Sequence, residues 1–365
     1  MINVQFFPSR RIAIYMARTF IVRSLAVLAG LLAVLATLDV LGESGRIFAY
    51  HGNGDAELWR YVSLRIPQMI QQFLPFALLL GALITFAGMN QHSEIISMKA
   101  AGISAHQIVA PLILTCLAIA AVNFAFNERV VTRATATLNA WVAVHYGRVP
   151  PTNAIRSNVW VRAGTDLVLA RQVTDSGPET GLYGVTVWDR AGGTLQHIVS
   201  ADSGRWTSRG WELTNASVFD VGTATMARQP IYTFGADIDP IQFRLAKVVP
   251  EEQDFFTLSH SIDELDAAGR PVTALRAALW HKIARPLSSI LMPLLAAIAA
   301  FGLARSGQLF VRAVIGMALG FCYFVADNFA LAMGNFGAYP PPIAAWGPFI
   351  LFLLIGETVL IRTEE

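Results

Sequence analysis

Residues 74–104 read LPFALLLGALITFAGMNQHSEIISMKAAGIS, and the order of polarity along them decides the fold. The apolar first half extends an apolar run over 66–90, long enough to cross a bilayer. It breaks into a short segment carrying Glu94 and Lys99, too charged to span, and a further apolar run follows near 107–127. Two spans joined by a short polar helix make a hairpin with its bend at one membrane surface. In that bend Ser93 stands where an N-cap belongs, with Glu94 in the first turn facing the positive end of the helix dipole. Ile95, Met98 and Ile103 form an apolar stripe, Lys99 lies on another face, and Gly102 suits the helix end. Such an amphipathic helix rests on lipid or docks in a partner's groove. A capped loop helix without a partner satisfies the same residues, and a single Lys on the polar face weakens the lipid-surface reading.

The rest of the chain agrees with a bilayer. Of 365 residues, 54% are hydrophobic and only 14% charged, against about a quarter charged in soluble domains. A net charge of +2 gives no basic excess for nucleic acid. A first apolar run ends near Leu41, followed by about 20 mixed residues from Glu43 to Arg65. That first run is too long for a cleavable signal and has no small-residue cleavage pattern behind it. Three more runs lie near 279–304, 309–333 and 341–361, the last entered through Pro340-Pro341-Pro342, where a helix does not extend backward. Cys116 and Cys322 both fall in apolar segments and read as buried thiols.

Between the third and fourth runs the period changes from helix to strand. Asn158-Val159-Trp160-Val161-Arg162 and Gly184-Val185-Thr186-Val187-Trp188 alternate, and Asp175-Ser176-Gly177-Pro178, Ala191-Gly192-Gly193 and Ser208-Arg209-Gly210 supply turns. This is an antiparallel β domain, a sandwich or jelly roll, with Val159, Val161, Leu167, Val185, Val187, Phe219 and Phe234 facing its core or lining an acyl groove. The expected fold is thus membrane α-helical plus β, six transmembrane helices (3+3) around an inserted β-jellyroll domain. Its parts are 1–127 with the connector helix at about 91–105, the β domain at 128–271, and the last three helices at 272–365.

Lys and Arg in short loops set the orientation. Arg10, Arg11, Arg18 and Arg23 near the amino terminus, Lys99, Arg305 and Arg312 in two loops, and Arg362 all fall on one side of six spans. Both termini are therefore expected in the cytoplasm and the β domain outside. Arg46, Arg60 and Arg65 in the first outer loop run against this majority. Trp141, Trp280 and Trp346 read as interface markers, and Glu357 as reaching the cytoplasmic interface.

No catalytic constellation is present. There is no Gly-Lys dipeptide, hence no phosphate loop, and no H-E-x-x-H, Cys-x-x-Cys or G-x-S-x-G motif. The chain reads as a non-enzyme with no metal site or cofactor of its own. Asp327 and Asn328 stand inside the fifth apolar run, where polar groups line cavities or pair between helices.

The connector, with Ser93, Glu94, Met98, Ala100 (or Ala101) and Gly102, resembles the permease family of lipopolysaccharide export, LptF/LptG. Trp280-His281-Lys282-Ile283-Ala284-Arg285-Pro286-Leu287 resembles that family's fourth helix, Gly320-Phe321, Tyr323-Phe324-Val325 and Asp327 its fifth, and Tyr339-Pro340-Pro341 with Ala344, Ala345, Trp346 and Pro348 its sixth. The resemblance covers essentially the whole chain, and the fifth and sixth helices favour the LptG branch. It implies a permease of the bacterial inner membrane, paired with an LptF-type subunit on a dimer of the ATPase LptB. Lipopolysaccharide would pass to LptC and LptA, and the β-jellyroll would be periplasmic. The connector would be the coupling helix, with Glu94 the main polar contact to the ATPase and Ser93, Met98, Lys99 and Gly102 around it. Arg129, Arg133 and Arg46 are candidate lipid-headgroup binders, or interfacial anchors of helix ends. A family lysine late in helix one is replaced by Ala36, while Asp39 matches a family acid; an acid does not substitute for a cation toward phosphate. The alternatives are an exporter of another amphiphile and a membrane-anchored periplasmic sensor.

Overall fold

A computed structural model describes residues 9–147, 155–163, 166–176, 179–190, 194–235, 238, 240, 243, 248–267, 270–301 and 309–362. Two helices open the chain, α1 (Arg10–Ala49) and α2 (Asp55–Gln91). At 1.5 Å per residue, the 40 residues of α1 extend about 60 Å, twice the roughly 30 Å hydrocarbon thickness of a bilayer. The expected mixed connector at 43–65 is therefore helix apart from a short bend at 50–54. Hydropathy marks where a helix leaves lipid, not where it ends, and Gly54 N–H donating to Glu57 Oε2 at 2.9 Å starts α2 among charged residues.

The two helices touch at small residues. A Cβ added to Gly81 would lie 2.0 Å from Ser24 Oγ and 2.7 Å from Ser24 Cα. Close approach of this kind substitutes for the hydrophobic drive that lipid removes. One turn along α2, Arg23 donates to the Ile84 carbonyl at 2.7 Å. Gly81→Ala is expected to destabilise the helical unit by about 1–3 kcal/mol. Ser24→Ala should give no rescue, because the Ser24 backbone itself is in the way. Thermal unfolding of the detergent-purified protein checks this, and an unchanged midpoint would refute the contact.

The connector helix α3 (Glu94–Ala100) leads into α4 (Ala105–Phe126), which passes through a π-helical turn (Asn127–Val131) into α5 (Thr132–Ala143). The third span thus runs on well past residue 127. Beyond the β strands come α6 (Phe255–Ala267), α7 (Thr273–Leu287), a 3₁₀ turn (Ser288–Ile290), α8 (Leu291–Phe301), α9 (Leu309–Asn335) and α10 (Pro341–Arg362). Among the described residues six helical stretches are long and apolar enough to span: Arg10–Ala49, Asp55–Gln91, Ala105–Ala143, Thr273–Ala300, Val314–Asn335 and Pro341–Arg362. This is the expected set. Arg305 and the side chain of Arg312 lie outside the described residues.

The chain divides into two compact units, one of 1–146, 250–266 and 271–365, the other of 147–249 with 267–270. The β unit is therefore narrower than the 128–271 interval expected for it. In the helical unit one apolar core joins Met16, Phe20, Phe86, Ile108 and Leu295, among others. A second cluster of Ile47, Tyr61, Leu138, Trp141 and Tyr146 ties α1, α2 and α5. Trp141 is buried in it, with Arg60 4.7 Å over its ring, so its ring packs against this chain and not against lipid. Tyr146 donates to Glu43 at 2.8 Å, and burial followed by that hydrogen bond pushes its phenol up to about 12, so it remains a donor at neutral pH.

In the other unit, β1 (Ile155–Ala163), β2 (Asp166–Ser176), β3 (Glu179–Asp189), β4 (His197–Thr207), β5 (Gly210–Asp220) and β6 (Thr225–Phe234) form one antiparallel sheet. Among the described residues strand order is β1-β2-β3-β4-β5-β6, a meander of consecutive hairpins, which is the antiparallel β insert expected between the helices. Val168, Ala170, Val185, Val187, Val199, Ala201 and Ala216 are buried on one face. Across the next step the buried positions change phase to Val173, Leu182, Gly204 and Leu213. These two rows are paired strand to strand, and between them Gly184 (φ 61°) and Asn215 (φ 56°) break the pleat. Val159, Val161, Val185 and Val187 are core residues as expected, and Phe234 packs against the core. Leu167, paired with Trp188, and Phe219, paired with Ile198, fall on the opposite side, because the phase change breaks simple alternation.

Candidate functional site

The connector helix is built from both ends inward. Ser93 adopts φ 57°, and its side chain makes no cap; instead its carbonyl accepts from Ser97 N and Ser97 Oγ, both at 2.9 Å. At the other end Ile103 N–H donates to the Met98 carbonyl and Gly102 N–H to the Lys99 carbonyl, each at 3.0 Å. This is a Schellman ending with Gly102 at φ 80°, a conformation that penalises any side chain.

The apolar stripe is occupied within the chain. Ile95 and Met98, 5% and 8% exposed, join the main core, and Ile103 packs against it. What α3 turns outward is Ile96, 61% exposed, with Ser97, Lys99 and Ala100. Glu94 is half-buried, and its Oε1 accepts from the Tyr15 hydroxyl at 3.1 Å, which ties α3 to the first turns of α1. Near by, His106 Nε2 lies 3.2 Å from Glu357 Oε2, joining the start of α4 to the end of α10. Glu357 is thus a paired group.

The other polar residues singled out in the sequence separate into bound and open ones. Asp39 accepts from Tyr61 at 2.6 Å and from Arg65 at 3.2 and 3.1 Å, so it clamps α1 to α2. Arg46 pairs with Glu43 at 3.0 Å. The three arginines that ran against the charge majority therefore each have a partner, Arg60 through the Trp141 ring. Arg129 and Arg133 are exposed one helical turn apart and make no ion pair among the described residues.

Asp327 meets His281 Nε2 at 3.0 Å, with both side chains largely buried, and so joins α9 to α7. Asn328 does not pair between helices; it donates to the Phe324 carbonyl of its own helix at 2.8 Å. Lys282 lies 3.5 Å from Glu128 of the π turn, and Glu128 also accepts from Phe255 N–H at the start of α6. His281, Lys282, Asp327 and Asn328 line a cavity of about 400 Å³ between α2, the π turn, α7 and α9. His281, Lys282 and Arg285 were not singled out as site residues in the sequence. The available signal was three basic groups on adjoining helical positions inside an apolar run. Among the described residues no group of His, Cys, Asp or Glu is arranged to hold a metal.

Six spanning helices, an inserted antiparallel sheet and a short helix bridging the second and third spans define a polytopic permease-type membrane protein. The chain belongs to the family described as Lipopolysaccharide export system permease LptF/LptG, which it matches over residues 14–362. It is 26% identical over 350 residues to Lipopolysaccharide export system permease protein LptG of Haemophilus influenzae, covering 91% of this chain and 96% of that protein. Against the protein of the same name from Escherichia coli K12 it is 25% identical over 353 residues, 94% of this chain and 95% of that one. It is a multi-pass inner-membrane protein of the transport class.

Proposed function

We propose that this chain is one permease subunit of an ATP-driven exporter that extracts lipopolysaccharide from the inner membrane and passes it to a periplasmic bridge. The observation that carries the coupling step is α3, fixed to the bundle through Ile95 and Met98 while Ile96 and its polar neighbours face out. A short helix held rigidly on one side and open on the other transmits a push from a docked partner. The partner is an LptB-type ATPase dimer, which binds the nucleotide; this chain carries no phosphate loop and needs no cofactor of its own. Glu94, Ser93, Lys99 and Gly102 shape the docking helix, with Met98 as its inner anchor.

A second permease of the LptF type encloses the lipid path together with this chain, and LptC and LptA receive the lipid. Three spans precede the β unit, so cytoplasmic termini place that unit in the periplasm. Arg129 and Arg133, open and one turn apart, are the better headgroup binders, since Arg46 is already paired. Covered passage is required because each acyl CH₂ brought into water costs about 0.8 kcal/mol. The test is affinity purification of the tagged chain from gently solubilised membranes, with co-purified proteins, ATPase activity and bound lipid measured together. A second permease, an ATPase dimer and lipopolysaccharide are expected. A chain recovered alone, or with another lipid and no ATPase, would overturn the reading in favour of a sensor or a different exporter.

A further inference from the structure

The cavity among α2, the π turn, α7 and α9 contains a cation with no direct ion pair among the described residues. Within little more than one turn α7 presents His281, Lys282 and Arg285 to it. His281 has Asp327 at 3.0 Å and Lys282 has Glu128 at 3.5 Å. Arg285 has no carboxylate within 4.0 Å among the described residues, although Asp327 and Glu251 line the same cavity. A guanidinium does not shed its proton, and a cation within membrane-spanning helices is costly unless something pairs with it.

Proline also shapes the backbone of the cavity wall. Pro75 and Pro286 both line it, and each removes the N–H that would bond the carbonyl four residues earlier, those of Gln71 and Lys282. The 3₁₀ turn Ser288–Ile290 interrupts the fourth span beside them. Irregular backbone at membrane depth is tolerated where it lines a polar cavity. Gln71 and Gln72 add amide groups from α2. About 400 Å³ is the low end of ligand-pocket volumes, enough for a headgroup and too small for an acylated disaccharide.

We propose that this cavity binds one phosphate-type anion against Arg285, with the amides of Gln71 and Gln72 beside it. The planar guanidinium fork matches two phosphate oxygens, which suits a single anchoring residue. The anion is either the phosphate of a membrane phospholipid or free inorganic phosphate. The site lies among this chain's own helices and does not depend on which cargo the complex exports.

The experiment compares the wild-type complex with Arg285→Gln, Arg285→Lys and Gln72→Leu after exhaustive detergent exchange. Retained phospholipid per complex is counted by phosphorus analysis and mass spectrometry, and thermal midpoints are recorded with added inorganic phosphate and with added phosphatidylglycerol. Wild type should retain more phospholipid than Arg285→Gln, or gain a midpoint shift with inorganic phosphate that Arg285→Gln lacks. Losing one charge-assisted contact should weaken binding roughly tenfold or more, with Arg285→Lys partly restoring it. Retained lipid without a phosphate shift assigns the site to a headgroup; a phosphate shift without retained lipid assigns it to the free ion. Equal retention and equal shifts in wild type and Arg285→Gln overturn the proposal. Should Arg285→Gln fail to fold, binding by Gln72→Leu equal to wild type overturns it as well.

Discussion

Ile96→Asp is expected to leave this chain folded and inserted while removing most of the ATPase from the purified complex. Ile96 is the large apolar side chain that α3 turns outward, whereas Ile95 and Met98 are occupied by the chain's own core. Burying an Ile at an interface contributes about 1.5–3 kcal/mol, and placing a carboxylate in the same groove adds a desolvation penalty. Each 1.4 kcal/mol is a factor of about ten in affinity, so association should fall by roughly tenfold to a hundredfold or more. Glu94→Ala should have a smaller effect on association, because one Glu94 oxygen is engaged by Tyr15 of the same chain. Met98→Asp is the contrasting control: it places a charge in the core and should reduce folded protein. The measurement is ATPase recovered per permease, with thermal stability alongside. Full recovery with Ile96→Asp would sink the coupling role of this face, and wild-type recovery with Glu94→Ala would remove Glu94 from it.

The largest expected loss of stability is Trp211→Ala in the β unit. Trp211 is fully buried, 5.4 Å from the Trp206 ring and 5.1 Å from Phe243, and its indole N–H donates to the Ile238 carbonyl at 2.8 Å. Truncation leaves a cavity costing about 3–5 kcal/mol and strips the donor from a buried carbonyl. That is a large fraction of the 5–15 kcal/mol by which domains are stable. Limited proteolysis of the full chain should show early cleavage within 147–249 and an intact helical unit. Trp211→Phe should recover part of the loss, since it restores volume but not the hydrogen bond. Protection of the Trp211→Ala β unit equal to wild type would show that the meander draws its stability from elsewhere.

How far the sequence could be read depended on how local the deciding physics was. The six spans were legible because each needs about 20 consecutive apolar residues, a property of the chain by itself. Helix ends were not, since Glu43, Arg46 and Arg60 are compatible with helix once it has left lipid. The α3 cap residues illustrate the same division. Gly102 was legible as a helix end because a positive φ favours glycine wherever it occurs. Ser93 was misjudged as a side-chain cap, because its left-handed backbone comes from the sharp exit of α2.

The sites follow the same rule. Asp39 and Arg65 are 26 positions apart, so neither predicts the other, and only the packing of α1 on α2 turns an apparent intramembrane acid into a clamp. Arg285 looked like one letter of a family motif until α9 and the π turn paired His281 and Lys282 and left it without a direct ion pair among the described residues. In the β unit, alternation identified Val159, Val161, Val185 and Val187 correctly. Leu167 and Phe219 were misplaced, because Gly184 and Asn215 shift the inward phase along one line across the sheet.

The sequence by itself therefore determined the class of protein: six spans, an antiparallel insert and a short polar helix between the second and third spans. Those follow from hydropathy and period, which are summed along the chain. Only the tertiary structure decided which face of α3 is open, which charges are already paired, and where the sheet changes phase. Each of these is a contact between residues far apart in sequence, and its energy exists only once the helices and strands have packed.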